Sequence, residues 1–216
     1  MTDPVLYGLS RSVYTRIARL ALEEKGVRYK LEEVEIFGST GAPVEHLARH
    51  PFGRIPTLAH DGFMLYETDA ITRYVDETFA GAQLQPHSPQ ARARMNQVIG
   101  IVDSYAYRPM VWGVFLARIV APVAGTVVSE TIVADALGKS RTCCSALEEL
   151  LGGNRFFAGS ELTLADLHTL PILLYFSLTP DGAEVISARP RLRAWLDNMV
   201  ARPSVQRTKS KFELAR

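Results

Sequence analysis

Prolines and polar side chains fall in two short stretches of this sequence, in a pattern suited to holding a small charged ligand. Pro51 begins an expected turn, and Pro56 opens an expected strand, where a residue without an N–H is tolerated. If the Ile55–Pro56 peptide bond is cis, Ile55 presents its backbone N–H and C=O above that strand. Glu67 and Thr68 follow at an expected helix start, where free N–H groups attract a carboxylate and a glutamate attracts an amine. The two stretches predict a site for a zwitterionic, peptide-like ligand.

The same stretches resemble the glutathione-binding half of the cytosolic glutathione transferases, and the phi class most closely. In that class asparagine-proline-phenylalanine-glycine precedes a polar residue, valine or isoleucine and a cis-proline, and a later Glu-Ser pair opens a helix. This chain has the run 51–56 (Pro-Phe-Gly-Arg-Ile-Pro) and, after it, the run 66–69 (Tyr-Glu-Thr-Asp). The resemblance covers nearly the whole chain. It implies a detoxifying transferase that uses glutathione as co-substrate and needs no cofactor or metal.

The resemblance also implies which residues hold glutathione. Glu67 and Thr68 bind the amine and carboxylate of the γ-glutamyl end, and Ile55, with Pro56 after it, binds the cysteinyl backbone. Arg54 stands where the family usually has glutamine or lysine, and it is the candidate for the glycyl carboxylate. In the family a histidine also contacts this carboxylate, and its position corresponds to Gly41 here. No residue of this chain is assigned to the contact that the histidine makes. The alternative for Glu67 and Thr68 is an ordinary helix start with an acidic first turn.

Ser12 is the catalytic candidate, because the reactive serine of phi-like sequences begins the first helix in the context Ser-x-x-Thr-Arg, which residues 12–16 match. A free thiol has a pKa of about 8.5, and a hydroxyl that donates to sulfur at a positive helix end favours the thiolate. The alternative is that Ser12 only caps the helix. The hydroxyls of Tyr7 and Tyr14 are alternative candidates for the catalytic role. Tyr7 is more typical of a core residue, and Tyr14 is expected to border the site.

Aromatic and apolar side chains crowd residues 105–115, in the helix that faces the thiol in the family. The resemblance implies that some of them form an apolar pocket for the electrophile, and ordinary bundle core is the alternative for most. The candidates are Tyr14, Tyr105, Met110, Trp112 and Phe115.

Histidines and cysteines give weaker signals. His46 and His50 are four residues apart, but no third ligand is evident and Pro51 disfavours helix there, so a solvated surface is preferred to a metal site. Cys143 and Cys144 are adjacent in an expected helix and are interpreted as small buried hydrophobes.

Composition limits the class of protein. The chain has 216 residues, a formal net charge of +1 and 47% hydrophobic residues, so neither nucleic acid nor an acidic membrane is an expected partner. Its two cysteines allow no disulfide framework, and the N-terminal residues do not have the pattern of a signal peptide. The most hydrophobic segment, 111–128, is interrupted by Arg118, Pro122 and Gly125, which disfavours a membrane-spanning helix. A cytoplasmic protein is expected.

Hydrophobic periodicity predicts an α/β domain followed by an all-α domain. Residues 1–80 have the order β-α-β, a loop helix, then β-β-α, which is the thioredoxin-like pattern, with Asp61-Gly62 as a hairpin turn. Residues 81–89 form an expected linker, and residues 90–216 an expected helical bundle with a kink at Pro109. Thr163 and Asp166 form an expected capping box.

The expected function is attack of a glutathione thiolate on an electrophilic, largely apolar substrate. Two alternatives stay open: a glutathione-dependent peroxidase or isomerase on the same fold, and a non-catalytic binding or regulatory protein. The resemblance further implies a homodimer in which Phe52 inserts into the partner's helical domain, and the alternative is that Phe52 folds back onto its own domain.

Overall fold

A computed structural model describes residues 2–38 and 41–214. It divides into two compact units. One unit comprises the described residues up to Gln85 together with those from Pro203 onward, and the other comprises Pro86–Arg202. The residues after Pro203 thus group with the first unit, whereas the sequence pattern had assigned them to the helical domain.

The first unit is built on a four-stranded mixed sheet in the order β2-β1-β3-β4. Strand β1 is parallel to β2 and antiparallel to β3, and β3 is antiparallel to β4. This arrangement confirms the predicted thioredoxin-like order. The elements are β1 Val5–Gly8, α1 Val13–Glu24, β2 Lys30–Glu33, α2 Val44–Leu47, β3 Thr57–His60, β4 Phe63–Tyr66 and α3 Thr68–Thr78.

Helix α1 packs closely against β1 at one point. A Cβ atom added to Gly8 would lie 2.4 Å from Oγ1 of Thr15, so the helix and strand approach each other only because Gly8 has no side chain. The apolar face of α1 is buried along its length, and it includes Val13, Ile17 and Leu20. The position of α1 on the sheet is therefore set by a close backbone approach.

The second unit contains α4 Pro89–Ile101, α5 Glu130–Leu151, α6 Leu164–Ser177, α7 Pro180–Ser187 and α8 Pro190–Val200. Helix α6 is its core, because every residue from Leu164 to Phe176 is buried. The predicted capping interaction is present: Oδ2 of Asp166 accepts hydrogen bonds from the backbone N and Oγ1 of Thr163, both at 3.0 Å. Asp166 also accepts from Phe157 N and Trp195 Nε1, and burial raises the pKa of its carboxyl.

The helix after α4 differs from the expected kinked α-helix. Residues Val102–Ala106 and Arg108–Val120 are wound as π-helix. Pro109 has no N–H and its ring crowds the preceding turn, which disfavours regular α-helical turns at this position.

Two short helices complete the first unit: α9 Pro203–Arg207 and α10 Lys211–Leu214. In the described residues, no helix is long and apolar enough to cross a membrane.

Gly8→Ala should destabilise the protein by about 1–3 kcal/mol, the usual cost of overpacking a close contact. Gly100→Ala is the matched control, since a Cβ there meets nothing within 4 Å and alanine favours the helix. Urea unfolding of both variants measures the difference. Equal stability of Gly8→Ala and wild type would contradict the close approach of α1 to β1.

Candidate functional site

Strand register brings three separate stretches of chain to one edge of the sheet. Tyr7 at the end of β1 pairs with Thr57 at the start of β3, and Thr57 also pairs with Tyr66 at the end of β4. The chain that leads to Ser12 leaves β1 at this edge. The residues before β3 enter there, and those after β4 leave there. The register therefore gathers three stretches that the sequence marked separately.

Ser12 is the N-cap of α1, and its side chain is half-buried. Its Oγ accepts a hydrogen bond from Thr15 N at 3.4 Å, which uses a lone pair and leaves the hydroxyl hydrogen for an acceptor. The first turn of α1 has no acidic residue, so the positive end of the helix is not neutralised locally. Ser12 thus fills the capping role and keeps the capacity to donate to an anion.

The residues before β3 present backbone rather than apolar side chains. The Ile55–Pro56 peptide bond is cis, and both side chains are buried. The side chain of Arg54 is exposed and forms no ion pair with any residue that the structure describes. Arg54 is thus a cation available to a ligand carboxylate.

Glu67 has an unusual backbone conformation at the start of α3. Its φ of 69° and ψ of 118° lie in a region that non-glycine residues rarely occupy, at a cost of about 1–3 kcal/mol. Its exposed side chain makes no capping hydrogen bond, whereas the next residue, Thr68, is buried. Such conformations persist only where the surrounding structure imposes them, and they cluster at ligand-binding and active sites, so Glu67 is a candidate for a ligand contact.

The rings of His46 and His50 are buried by the loop between α2 and β3, so the expectation of a solvated surface is wrong. Nε2 of His46 lies 2.7 Å from the carbonyl oxygen of Arg54. The ring of His50 lies against Tyr66, with 4.7 Å between ring centroids, and Phe52 packs edge-on at 6.1 Å. The loop covers both rings, which spacing alone could not show. Among the described residues, no group of three or more metal-ligating side chains occurs.

Burial lowers the pKa of His50, and the nearby charges of His46 and Arg54 lower it further, while Glu67 raises it. Neutral His50 is therefore the form that fits beneath the loop.

Other contacts near Ser12 carry no sequence signal, because their partners are distant along the chain. Both carboxylate oxygens of Glu33 accept from Ser10 N, at 3.1 and 3.2 Å. Arg11 pairs with Glu35 at 2.5 Å, and this hydrogen bond lowers the pKa of the Glu35 carboxyl. The segment between β1 and α1 is thus tied to β2 and to the chain after it.

The apolar candidates separate into two groups. In the second unit, Tyr105 and Trp112 are exposed, and Trp112 has the guanidinium of Arg108 at 5.5 Å from its ring centroid. Met110 and Phe115 are fully buried, and Phe115 stacks on Tyr175 at 4.8 Å. They occupy core positions, as the alternative interpretation held.

Tyr7 and Tyr14 in the first unit are half-buried, and the guanidinium of Arg49 lies 4.3 Å from the ring centroid of Tyr7. Cys143 and Cys144 are buried as expected, and burial raises the pKa of both thiols, that of Cys144 to about 12.

Comparison with known proteins decides the family. A family model described as "Glutathione S-transferase, N-terminal domain" matches residues 6–83, and one described as "Glutathione S-transferase, C-terminal domain" matches residues 97–203. The chain belongs to the glutathione S-transferase family. The resemblance stated from the sequence is therefore confirmed.

Among its relatives is glutathione S-transferase F13 of Arabidopsis thaliana, a plant phi-class protein. It is 31% identical over 201 residues, which cover 92% of this chain and 91% of the relative. The solved structure of glutathione transferase F7 from Populus trichocarpa is 32% identical, covers 95% of this chain and 97% of its own, and has a TM-score of 0.84. Glutathione S-transferase I from maize, solved with an atrazine glutathione conjugate, is 27% identical, covers 96% of each chain and has a TM-score of 0.84.

The buried His50 should make stability depend on pH. The unfolded chain takes up the proton near pH 6.5, whereas the folded protein takes it up only at lower pH. The contribution of His50 is therefore fully present above about pH 6.5 and is lost as pH falls towards the lowered folded pKa. His50→Asn should flatten this part of the pH profile of the unfolding free energy, measured with urea.

His87→Asn is the control, because that exposed ring is hydrated in both states and its loss should leave the profile unchanged. Identical slopes for wild type and His50→Asn would rule out His50 as the source.

Proposed function

We propose that this protein is a glutathione transferase in which an activated glutathione thiolate attacks the electrophilic carbon of a small, largely apolar molecule. One observation carries the proposal. The register of β1, β3 and β4 brings the chain segments that contain Ser12, Ile55 and the Glu67–Thr68 pair to one edge of the sheet. Membership in the glutathione S-transferase family supports the same reaction.

Ser12 is the residue proposed to stabilise the thiolate. Its hydroxyl donates to sulfur at the unneutralised start of α1. Lowering the thiol pKa by about two units from about 8.5 corresponds to about 2.7 kcal/mol, which one charge-assisted hydrogen bond and the helix dipole can supply. The thiol proton goes to solvent, the sulfur forms a bond to carbon, and the leaving group departs with the electron pair.

The ligand contacts are proposed on charge and position. The Glu67 carboxylate meets the γ-glutamyl amine, and Thr68 with the first N–H groups of α3 meets the adjacent carboxylate. Ile55, set by Pro56, pairs with the cysteinyl backbone. Arg54 supplies the cation for the glycyl carboxylate, since it is exposed and Gly41 offers no side chain there.

Tyr105 and Trp112 are proposed as apolar contacts of the electrophile, because both are exposed. Within the first unit, Tyr14 is proposed as a neighbour of the glutathione sulfur, because it lies in the first turn of α1 after Ser12. No cofactor is proposed beyond glutathione as co-substrate. A cytoplasmic location and a role in detoxification are proposed with the activity.

A homodimer is proposed because of Phe52. Its side chain is 70% exposed, although it rests edge-on against His50 and Tyr66. A phenylalanine so exposed favours a contact outside its own unit over folding back onto it. Two-fold symmetry would repeat that contact, so each protomer both gives and receives one phenylalanine.

Ser12→Ala should lower conjugation turnover by about 100-fold, roughly the effect of losing one stabilising donor, while glutathione affinity changes little. Thr68→Val is the matched variant with the opposite expectation: it should weaken binding by about 1.5–3 kcal/mol, the range for hydrogen bonds to charged groups. Calorimetry with glutathione and turnover with a panel of electrophiles and hydroperoxides measure both.

Unchanged turnover in Ser12→Ala would move the catalytic role to Tyr7 or Tyr14. A panel in which only hydroperoxides react would favour the peroxidase alternative, and glutathione binding without any turnover would favour the non-catalytic one.

Phe52→Ala should sediment as monomer at concentrations where the wild type is dimeric. Removing a buried phenylalanine costs about 3–5 kcal/mol, and two such losses shift the dimer equilibrium by about four decades or more. Phe37→Ala is the control, since Phe37 is also an exposed phenylalanine of the first unit. A Phe52→Ala variant that stays dimeric on dilution would contradict the contact.

A further inference from the structure

Residues 203–214, which we name the strap, lie along α1 although nearly two hundred residues of sequence separate the two. At the end of α1 furthest from Ser12, Ser204 hydrogen-bonds Glu24, and Arg207 pairs with Glu23 at 2.6 Å. One turn earlier, Nη2 of Arg19 donates to the carbonyl oxygen of Arg207 at 3.4 Å. These partly exposed contacts align the strap with the helix.

The contact nearest Ser12 is of a different kind, because it is a buried ion pair. The side chain of Arg16 is 0% exposed, and that of its partner Glu213 is 8% exposed. The two guanidinium nitrogens Nη1 and Nη2 meet the two Glu213 oxygens at 2.5 and 3.0 Å, and Nη2 also donates to the carbonyl oxygen of Val205 at 3.3 Å. Ser210 holds Glu213 in turn, since its backbone N and its Oγ both donate to Oε1 at 2.9 Å.

Arg16 is linked directly to the catalytic candidate. Its backbone N donates to the carbonyl oxygen of Ser12 at 2.9 Å, which is the first hydrogen bond of α1. The neighbouring residue Thr15 touches β1 at Gly8, where no room is left for even one added carbon. The first turn of α1 is therefore fixed by the sheet through Thr15 and by the strap through Arg16.

We infer that Arg16 and Glu213 are positioning residues for the Ser12 hydroxyl, and that the strap thereby sets how strongly this hydroxyl stabilises the glutathione thiolate. The inference rests on the proposed function. A buried guanidinium that loses its carboxylate must move towards water or remain uncompensated. Because Thr15 already contacts β1 without spare room, that adjustment displaces the first turn and lengthens the Ser12 contact to sulfur.

Glu213→Gln is the direct test, because it keeps the shape of the side chain and removes the charge. The pKa of the bound glutathione thiol, followed by thiolate absorbance against pH, should rise by about one unit, which is up to about a tenfold loss of thiolate at neutral pH. Turnover should fall in proportion at neutral pH and recover at alkaline pH. The KM for glutathione should stay within about twofold, since Glu67 and Thr68 are untouched.

Arg207→Gln is the matched control, since it removes an ion pair between the same strap and the same helix at the end remote from Ser12. It should leave the thiol pKa unchanged. Ser210→Ala is the milder variant should Glu213→Gln fail to fold; it removes one of the bonds that hold Glu213 and should raise the thiol pKa by a smaller amount.

Three results would overturn the inference. An unchanged thiol pKa with reduced stability would make the pair purely structural. A lowered thiol pKa would mean that the charge of Arg16 acts through space and that Ser12 has not moved. An equal rise of the thiol pKa in Arg207→Gln would show that the buried Arg16–Glu213 pair has no special role. A wild type without detectable bound thiolate would instead refute the proposed function.

Discussion

The antiparallel pairing of β1 with β3 and of β3 with β4 is the constraint on which the rest of the candidate site depends. In an antiparallel pair the end of one strand faces the start of its partner, so Tyr7, Thr57 and Tyr66 stand in one row. The next residues along each chain must then share an edge. A shift of register by one residue would turn every side chain of the shifted strand to the other face. Strand β1 alternates half-buried and buried residues, so a shift of β1 would move the fully buried Leu6 out of the core.

The groups at this edge of the sheet differ in charge: the starts of α1 and α3 and the side chain of Arg54 favour ligand groups of different sign. The start of α1 has a serine and no acidic residue, so its positive end favours an anion such as a thiolate. The start of α3 carries Glu67 and, in its first turn, Asp69, which favours an ammonium group, while Arg54 offers a cation on the loop before β3. In the proposed complex, the amine of glutathione lies at Glu67, a carboxylate at Arg54 and the thiolate at the start of α1. The positive φ of Glu67 costs about 1–3 kcal/mol of stability.

The parts of this structure that sequence predicts are those coded by neighbouring residues. The Asp61-Gly62 hairpin, the Thr163–Asp166 capping interaction and the start of α1 at Ser12 depend on local backbone preferences, which is why they were predictable. Pairs distant in sequence have no such signal. Arg16 and Glu213 are 197 residues apart, and either side chain alone is typical of a solvated helix face. The burial of His46 and His50 likewise depends on a loop whose path the residue spacing does not specify. The π-helical turns of Val102–Ala106 and Arg108–Val120 were not predictable either, because a proline in the sequence indicates only that regular helix is disturbed.

The loop between α2 and β3 joins two proposed roles that would otherwise be independent. Phe52 points to solvent at its outer side, while Arg54 and Ile55 lead into the sheet edge. Nε2 of His46 lies against the Arg54 carbonyl oxygen, and the ring of His50 packs against both Phe52 and Tyr66. These contacts fix the loop before any partner or ligand is bound, so little further ordering is needed at Arg54 and Ile55, the proposed glutathione contacts. Because binding energy is lost whenever a ligand must order a loop, a loop that is already fixed favours glutathione affinity.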